Sequence, residues 1–130
     1  MVGIVVVSHS AKAAEGIKEL ADQMGGAGAA IIAAGGLEDG NIGTDAVRIM
    51  EAIRKADTGD GVVVMVDLGS AVLSSNLALE LLGNGMAGKV RIADAPILEG
   101  TICAAIQASI GDKLDSVLAS AEEARGMMKI

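Results

Sequence analysis

One histidine, His9, and one aspartate, Asp67, carry the most reactive chemistry this sequence can offer. His9 sits in Ser8-His9-Ser10, directly after a β-branched run, and Asp67 opens Asp67-Leu68-Gly69-Ser70, directly after another. An unperturbed imidazole changes charge close to neutral pH, so it can serve there as base or nucleophile. It can attack phosphorus and carry a phosphoryl group as a phosphohistidine. A carboxylate beside it would accept a hydrogen bond from one ring nitrogen, fix the tautomer and leave the other nitrogen free to attack. Each residue has a plainer alternative: His9 as a surface-loop histidine, Asp67 as the N-cap of the helix that follows. The two roles of Asp67 are compatible.

Hydroxyls and backbone amides lie close to both residues in sequence. Gly69 and Ser70 open a helix, whose free N–H groups and positive dipole end can receive phosphoryl oxygens. Ser8 and Ser10 flank His9 and can do likewise, although Ser10 is also expected to cap the first helix. The glycine-rich loop Gly35–Gly43, with Gly35 and Gly36 at its start, permits close backbone approach, as any tight turn does. Thr44 follows that loop and reads more readily as an N-cap than as a ligand. The expected site is therefore His9 as phosphoryl acceptor and Asp67 as its orienting partner. Ser8, Ser10, Gly35, Gly36, Thr44, Gly69 and Ser70 are expected around the phosphate, with no metal and no cofactor.

These residues converge only if the chain folds as an alternating α/β domain. Short solid apolar runs at Gly3–Val7, Ala29–Ala34, Val62–Val66 and Val90–Ala93 read as strands. Helices are expected over residues 11–24, from Gly43 or Thr44 to Ala56, and over 71–82, 98–110 and 112–125. Gly25, Gly26 and Gly28 end the first. Its spacing puts Ile17, Leu20, Ala21 and Met24 on one face. The later helices are expected to bury Val47, Met50 and Ile53, then Ile102, Ala105, Ile106 and Ser109, then Leu114, Val117, Leu118 and Ala121. The order β-α-β-α-β-α-β-α-α implies one domain over residues 1–130. Its expected architecture is an open, doubly wound, mainly parallel sheet of order 2-1-3-4 with helices on both faces. Ligands bind such sheets beyond the carboxyl ends of the strands at the switch point, here between strands 1 and 3, where His9 and Asp67 emerge.

Composition removes other classes. Hydrophobic residues make up 52% of the chain, yet it holds no Phe, Tyr or Trp, so the core is aliphatic and nothing can stack on an aromatic ring. The net charge of −7 argues against nucleic acid and anionic membrane surfaces as partners. A single cysteine, Cys103, allows no internal disulfide and fits a cytoplasmic protein. One Cys with one His cannot build a thiolate or imidazole zinc cage. No apolar run is long enough to span a bilayer, and the start MVGIVVVSHS reads as a strand and not as a signal peptide. Neither G-x-G-x-x-G after strand 1 nor G-x-x-x-x-G-K-[ST] is present, and the G-x-S-x-G elbow of Ser-His-Asp hydrolases is missing.

Four stretches, in order along nearly the whole chain, resemble one family. They are Gly3-Ile4-Val5-Val6-Val7-Ser8-His9-Ser10 with Ala14-Glu15-Gly16, then Ile42-Gly43-Thr44-Asp45-Ala46-Val47, then Val64 to Ala71, then Ala95-Pro96-Ile97-Leu98-Glu99-Gly100. The family is DhaM, the phosphotransferase subunits of phosphoenolpyruvate-dependent dihydroxyacetone kinases. The resemblance implies a fold like the mannose-type IIA domains of the sugar phosphotransferase system, usually homodimeric. It implies that His9 accepts a phosphoryl group from phospho-HPr and passes it to ADP held on the kinase's nucleotide-binding subunit, in glycerol metabolism. HPr-like and enzyme-I-like domains, fused in some members, are expected here on separate proteins. Two alternatives remain open: a mannose-type IIA component handing phosphate to a IIB partner, and a non-catalytic regulatory docking module.

Overall fold

Short apolar runs bounded by glycine and polar residues form four strands: β1 (Gly3–Ser8), β2 (Ala30–Gly35), β3 (Val62–Val66) and β4 (Val90–Ile92). Between and after them lie α1 (Ala11–Gly25), α2 (Ala46–Ala56), α3 (Gly69–Leu82), α4 (Ile97–Ser109) and α5 (Leu114–Glu123). A computed structural model describes residues 1–25, 28–86 and 88–130, so the expected role of Gly26 in ending α1 lies outside the described residues. The strands pair in parallel in the order β2-β1-β3-β4, the order the sequence implies.

Both faces of the sheet are covered. Val2, Ile4, Val6, Val63 and Met65 pack under α1, α4 and α5. On the other face Val5, Val7, Val62, Val64 and Val66 pack under α2 and α3. This is why the strands read as unbroken apolar runs: every position meets a helix layer.

The helices depart from the expected faces in a consistent way. α1 buries Ala14, Ala21 and Gly25 and leaves Leu20 and Met24 exposed. α4 buries Gly100, Thr101, Ala104, Ala105 and Ala108; Ile106 is exposed, and Ile102 and Ser109 are only half-buried. In α2 the expected Ile53 is buried, but beside Ile49, Ala52 and Ala56, while Val47 is exposed and Met50 half-buried. α5 comes nearest to its expected face, burying Val117, Leu118 and Ala121 with Leu114 half-buried. Close approach explains the substitution of small for large. A Cβ on Gly25 would stand 2.9 Å from the Ala105 Cβ, and one on Gly100 would stand 2.7 Å from the Met65 methyl. Elements this close leave no room for leucine between them, so the leucines turn outward. The cap of α2 also differs. Asp45, not Gly43 or Thr44, accepts from the Val47 and Arg48 amides.

α3 follows the same rule, burying Ala71, Ser75 and Ala78 against the sheet while Leu73, Leu77 and Leu81 face outward. Ser75 is fully buried, and its hydroxyl has no hydrogen-bond partner among the described residues. An unpaired buried hydroxyl costs free energy, and serine is also a poorer helix former than alanine. Ser75→Ala is expected to stabilise the fold by about 1 kcal/mol. The midpoint of urea unfolding checks this; a midpoint at or below that of the parent contradicts it.

Candidate functional site

The site is built by strand register. Val7 of β1 lies opposite Val66 of β3, so the segments that follow them emerge side by side at the carboxyl edge of the sheet. There the carboxylate of Asp67 gathers four donors. Oδ2 accepts from the His9 amide at 2.9 Å and from the Ser8 hydroxyl at 3.0 Å. Oδ1 accepts from the Leu68 amide at 2.7 Å and faces His9 Nδ1 at 2.9 Å. Partial burial opposes ionisation of Asp67, but the bonds from His9, Ser8 and Leu68 outweigh it and hold the carboxyl below the ordinary value of 3.8.

An ionised Asp67 can only accept, so Nδ1 of His9 carries the proton and Nε2 presents its lone pair. Nε2 meets the hydroxyl of Ser70, the second residue of α3. Leu68 sits at the N-cap of α3 without a side-chain cap bond. The arrangement can orient a histidine, leave one ring nitrogen nucleophilic, and offer a hydroxyl and a helix N-terminus to negative charge built up beside it.

The glycine-rich loop closes the other side. Gly36 takes φ of 69° and donates its N–H to Ser8 O, while Gly43 donates to His9 O at 2.8 Å. Gly35, the last residue of β2, is required by packing: a Cβ there would stand 2.5 Å from Ser10 O and 2.7 Å from the Ala14 Cβ. Its carbonyl accepts from Arg48.

The remaining expected residues divide by what their side chains touch. Ser8 is buried and its hydroxyl is turned to Asp67, where it also accepts from the Ser10 amide. Ser10 accepts from the Ala13 amide, the bond of an N-cap on α1. Thr44 bonds Ser74 at 2.6 Å and so ties the end of the loop to α3. Ser74 and the Gly43 amide were not anticipated. Ser74 lies one helical turn after Ser70, on the same side of α3, which is the sequence signal that could have found it. Asp67 serves as hub for the imidazole and does not cap α3. Beside Leu68 and Gly69 a cleft of about 480 Å³ opens between α3 and the end of β4, lined by Val66, Val72, Ile92 and Ala95 among others. Among the described residues no group of three or more His, Cys, Asp or Glu stands close enough to hold a metal ion, and no helix is long and apolar enough to cross a membrane.

The family model described as PTS system fructose IIA component matches residues 3–118. A phosphoryl donor subunit DhaM of PEP-dependent dihydroxyacetone kinase from Escherichia coli is 47% identical over 127 residues, which are 95% of this chain and 27% of that protein. The chain thus spans about a quarter of the length of that relative. A shorter subunit of the same name, from the second such kinase of Listeria innocua, is 39% identical over 91% of this chain and 94% of its own length. A crystal structure of a protein of unknown function superposes with a TM-score of 0.88 at 38% identity, covering 99% of this chain and 98% of the other.

The depressed carboxyl of Asp67 fixes a pH dependence. Because its folded value lies below 3.8, its ionised form contributes stability in full above that pH, and the contribution is lost as pH falls through the folded value. Asp67→Asn is expected to be less stable than the parent near neutrality, with the gap closing well below pH 3.8. Paired urea titrations across that range check it; a gap unchanged down to acid contradicts it.

Proposed function

The chain belongs to the family of PTS system fructose IIA components and groups with the DhaM phosphoryl donor subunits; from that premise we propose that it is the phosphoryl donor subunit of a PEP-dependent dihydroxyacetone kinase. In this reading His9 Nε2 attacks the phosphoryl group of phospho-HPr in line, the P–N bond to the donor breaks, and a phosphoramidate forms on Nε2. The group then passes to ADP on the nucleotide-binding subunit of the kinase, in the cytoplasm, as part of glycerol metabolism.

One observation carries the reading: Asp67 holds Nδ1, which leaves Nε2 aimed at Ser70 and the start of α3. Asp67 keeps the imidazole in the nucleophilic tautomer and stabilises the ring as it gains positive character. The Ser70 hydroxyl and the first amides of α3 donate to phosphoryl oxygens, with Gly43 holding the backbone beneath. Catalysis of this kind is positioning and local electrostatics.

A protein partner is supported by the surface around the ring. Ile42, Leu68 and Leu73 are 71%, 62% and 72% exposed, and they are three of the four most exposed large apolar side chains between Met1 and Met127. All three flank the site: Ile42 precedes Gly43, Leu68 follows Asp67, and Leu73 lies one turn after Ser70. Exposed apolar side chains that flank a site suit docking of another protein. A homodimer belongs to the same proposal, and the outward Leu77 and Leu81 of α3 suit it.

Intact mass after mixing with phosphoenolpyruvate, enzyme I and HPr tests this function. The parent is expected to gain one phosphoryl group and to lose it when the kinase subunits, ADP and dihydroxyacetone are added. His9→Ala is expected to keep its fold and gain nothing. A phosphoryl gain on His9→Ala, or loss of the group only to a IIB protein, overturns the reading.

A further inference from the structure

Asp67, His9 and Ser70 stand in the order carboxylate, imidazole, hydroxyl. Nδ1 is 2.9 Å from Asp67 Oδ1, and Nε2 is hydrogen-bonded to Ser70 Oγ. With Nδ1 protonated, Nε2 is the acceptor of the Ser70 O–H. This is the relation that activates a serine: the imidazole takes the hydroxyl proton as the oxygen attacks, and the carboxylate steadies the imidazolium. We propose that in the unphosphorylated protein Ser70 is a nucleophile that accepts the acyl group of small, uncharged carboxylic esters.

Three further features favour that substrate class. First, Ser70 is exposed, so an electrophile can reach its Oγ. Second, Ser70 is the second residue of α3, and the N–H groups of Gly69 and Ser70 have no hydrogen-bond acceptor among the described residues. These amides, at the positive end of the helix, can serve as donors to the oxyanion of a tetrahedral intermediate. Third, the cleft of about 480 Å³ beside Leu68 and Gly69 offers Val66, Val72, Ile92 and Ala95 to a short apolar acyl or leaving group. Asp67 and Asp94 also line that cleft, which disfavours an anionic ester. The nucleophile elbow of hydrolases is absent from the sequence, but the register of β1 with β3 and the start of α3 bring the same three groups together without it.

The step balances without a co-reactant other than water. Ser70 Oγ bonds to the carbonyl carbon, its proton passes to Nε2, and the carbon–oxygen bond to the alcohol breaks as that proton moves to the leaving oxygen. Water then adds to the acyl-serine with Nε2 as base, releasing the carboxylic acid and restoring Ser70. A phosphoryl group on Nε2 removes the base, so the acyl chemistry and the phosphoryl chemistry exclude each other on one molecule.

The test uses the whole chain with no phosphoryl donor present, so its outcome is read independently of any kinase function. A fluorophosphonate probe is followed by intact mass and peptide mapping, and p-nitrophenyl acetate hydrolysis is followed by absorbance. Expected are a label on Ser70, loss of label and hydrolysis in Ser70→Ala, and a fall of roughly 100-fold or more in His9→Ala. Circular dichroism and thermal melts of each variant confirm the fold. Asp67→Asn, with the carboxylate gone, is expected to slow labelling while Ser70 remains. Labelling spread evenly over Ser10, Ser70, Ser109 and Ser116 overturns the proposal. So does ester hydrolysis that survives Ser70→Ala but not His9→Ala, because the imidazole would then be reacting by itself.

Discussion

The carboxylate of Asp67 is the constraint on which the site depends. Four donors from two separate segments of chain end on its two oxygens: the Ser8 hydroxyl, the His9 amide, the His9 ring and the Leu68 amide. Hydrogen bonds to a charged group each contribute about 1.5–3 kcal/mol, more than neutral ones. Together they keep Asp67 ionised despite its partial burial. An ionised Asp67 in turn dictates the tautomer of His9, and that tautomer leaves the lone pair on Nε2. Local backbone, charge state and tautomer are thus set by one group. Strand register places it, because the paired ends of β1 and β3 deliver both segments to the same level of the sheet.

A second constraint shapes everything outside the site. With no aromatic ring available, the molecule gains close packing by bringing backbones together over alanine and glycine. Gly35 against Ser10 and Ala14 is the instance that matters most for chemistry, since it seats the segment carrying His9 against the end of β2. The displaced large side chains face outward: Leu20 and Met24 on α1, Leu73, Leu77 and Leu81 on α3, and Ile106 on α4. Helices that turn large apolar side chains outward present a surface suited to association, and Ile42, Leu68 and Leu73 are exposed apolar residues that flank the site along the chain.

The sheet and the pairing of His9 with Asp67 were legible in the sequence because both rest on solid β-branched runs. Runs such as Val62–Val66 have one favourable fate, and their order limits the topology to very few choices. The helix faces were less legible. Periodicity identifies an apolar stripe, yet α1 carries two, one of alanine and glycine and one of leucine and methionine, and size does not tell which faces inward when helices approach this closely. The cap of α2 was misassigned for a related reason: Gly43, Thr44 and Asp45 are all acceptable at a helix start, and the bonds that the Asp45 carboxylate accepts from the Val47 and Arg48 amides select it. The inward turn of Ser8 and the bond between Thr44 and Ser74 depend on tertiary placement that no local pattern encodes.

The electrostatics of the site fit a group that must be given away. Among the described residues no Lys or Arg side chain hydrogen-bonds to His9, Asp67 or Ser70. A phosphoryl group on Nε2 would meet a hydroxyl and peptide dipoles, with an ionised carboxylate on the far side of the ring. Neutral donors can orient such a group, whereas a cluster of guanidinium or ammonium groups would add strong ground-state binding that transfer must later overcome. In the proposed function a covalent bond retains the group, so the net charge of −7 is no obstacle to carrying an anion. That same excess of negative charge favours partners that bring their own positive groups. In the proposed function, cationic stabilisation of the transferring group would then come from the partner as the transition state forms.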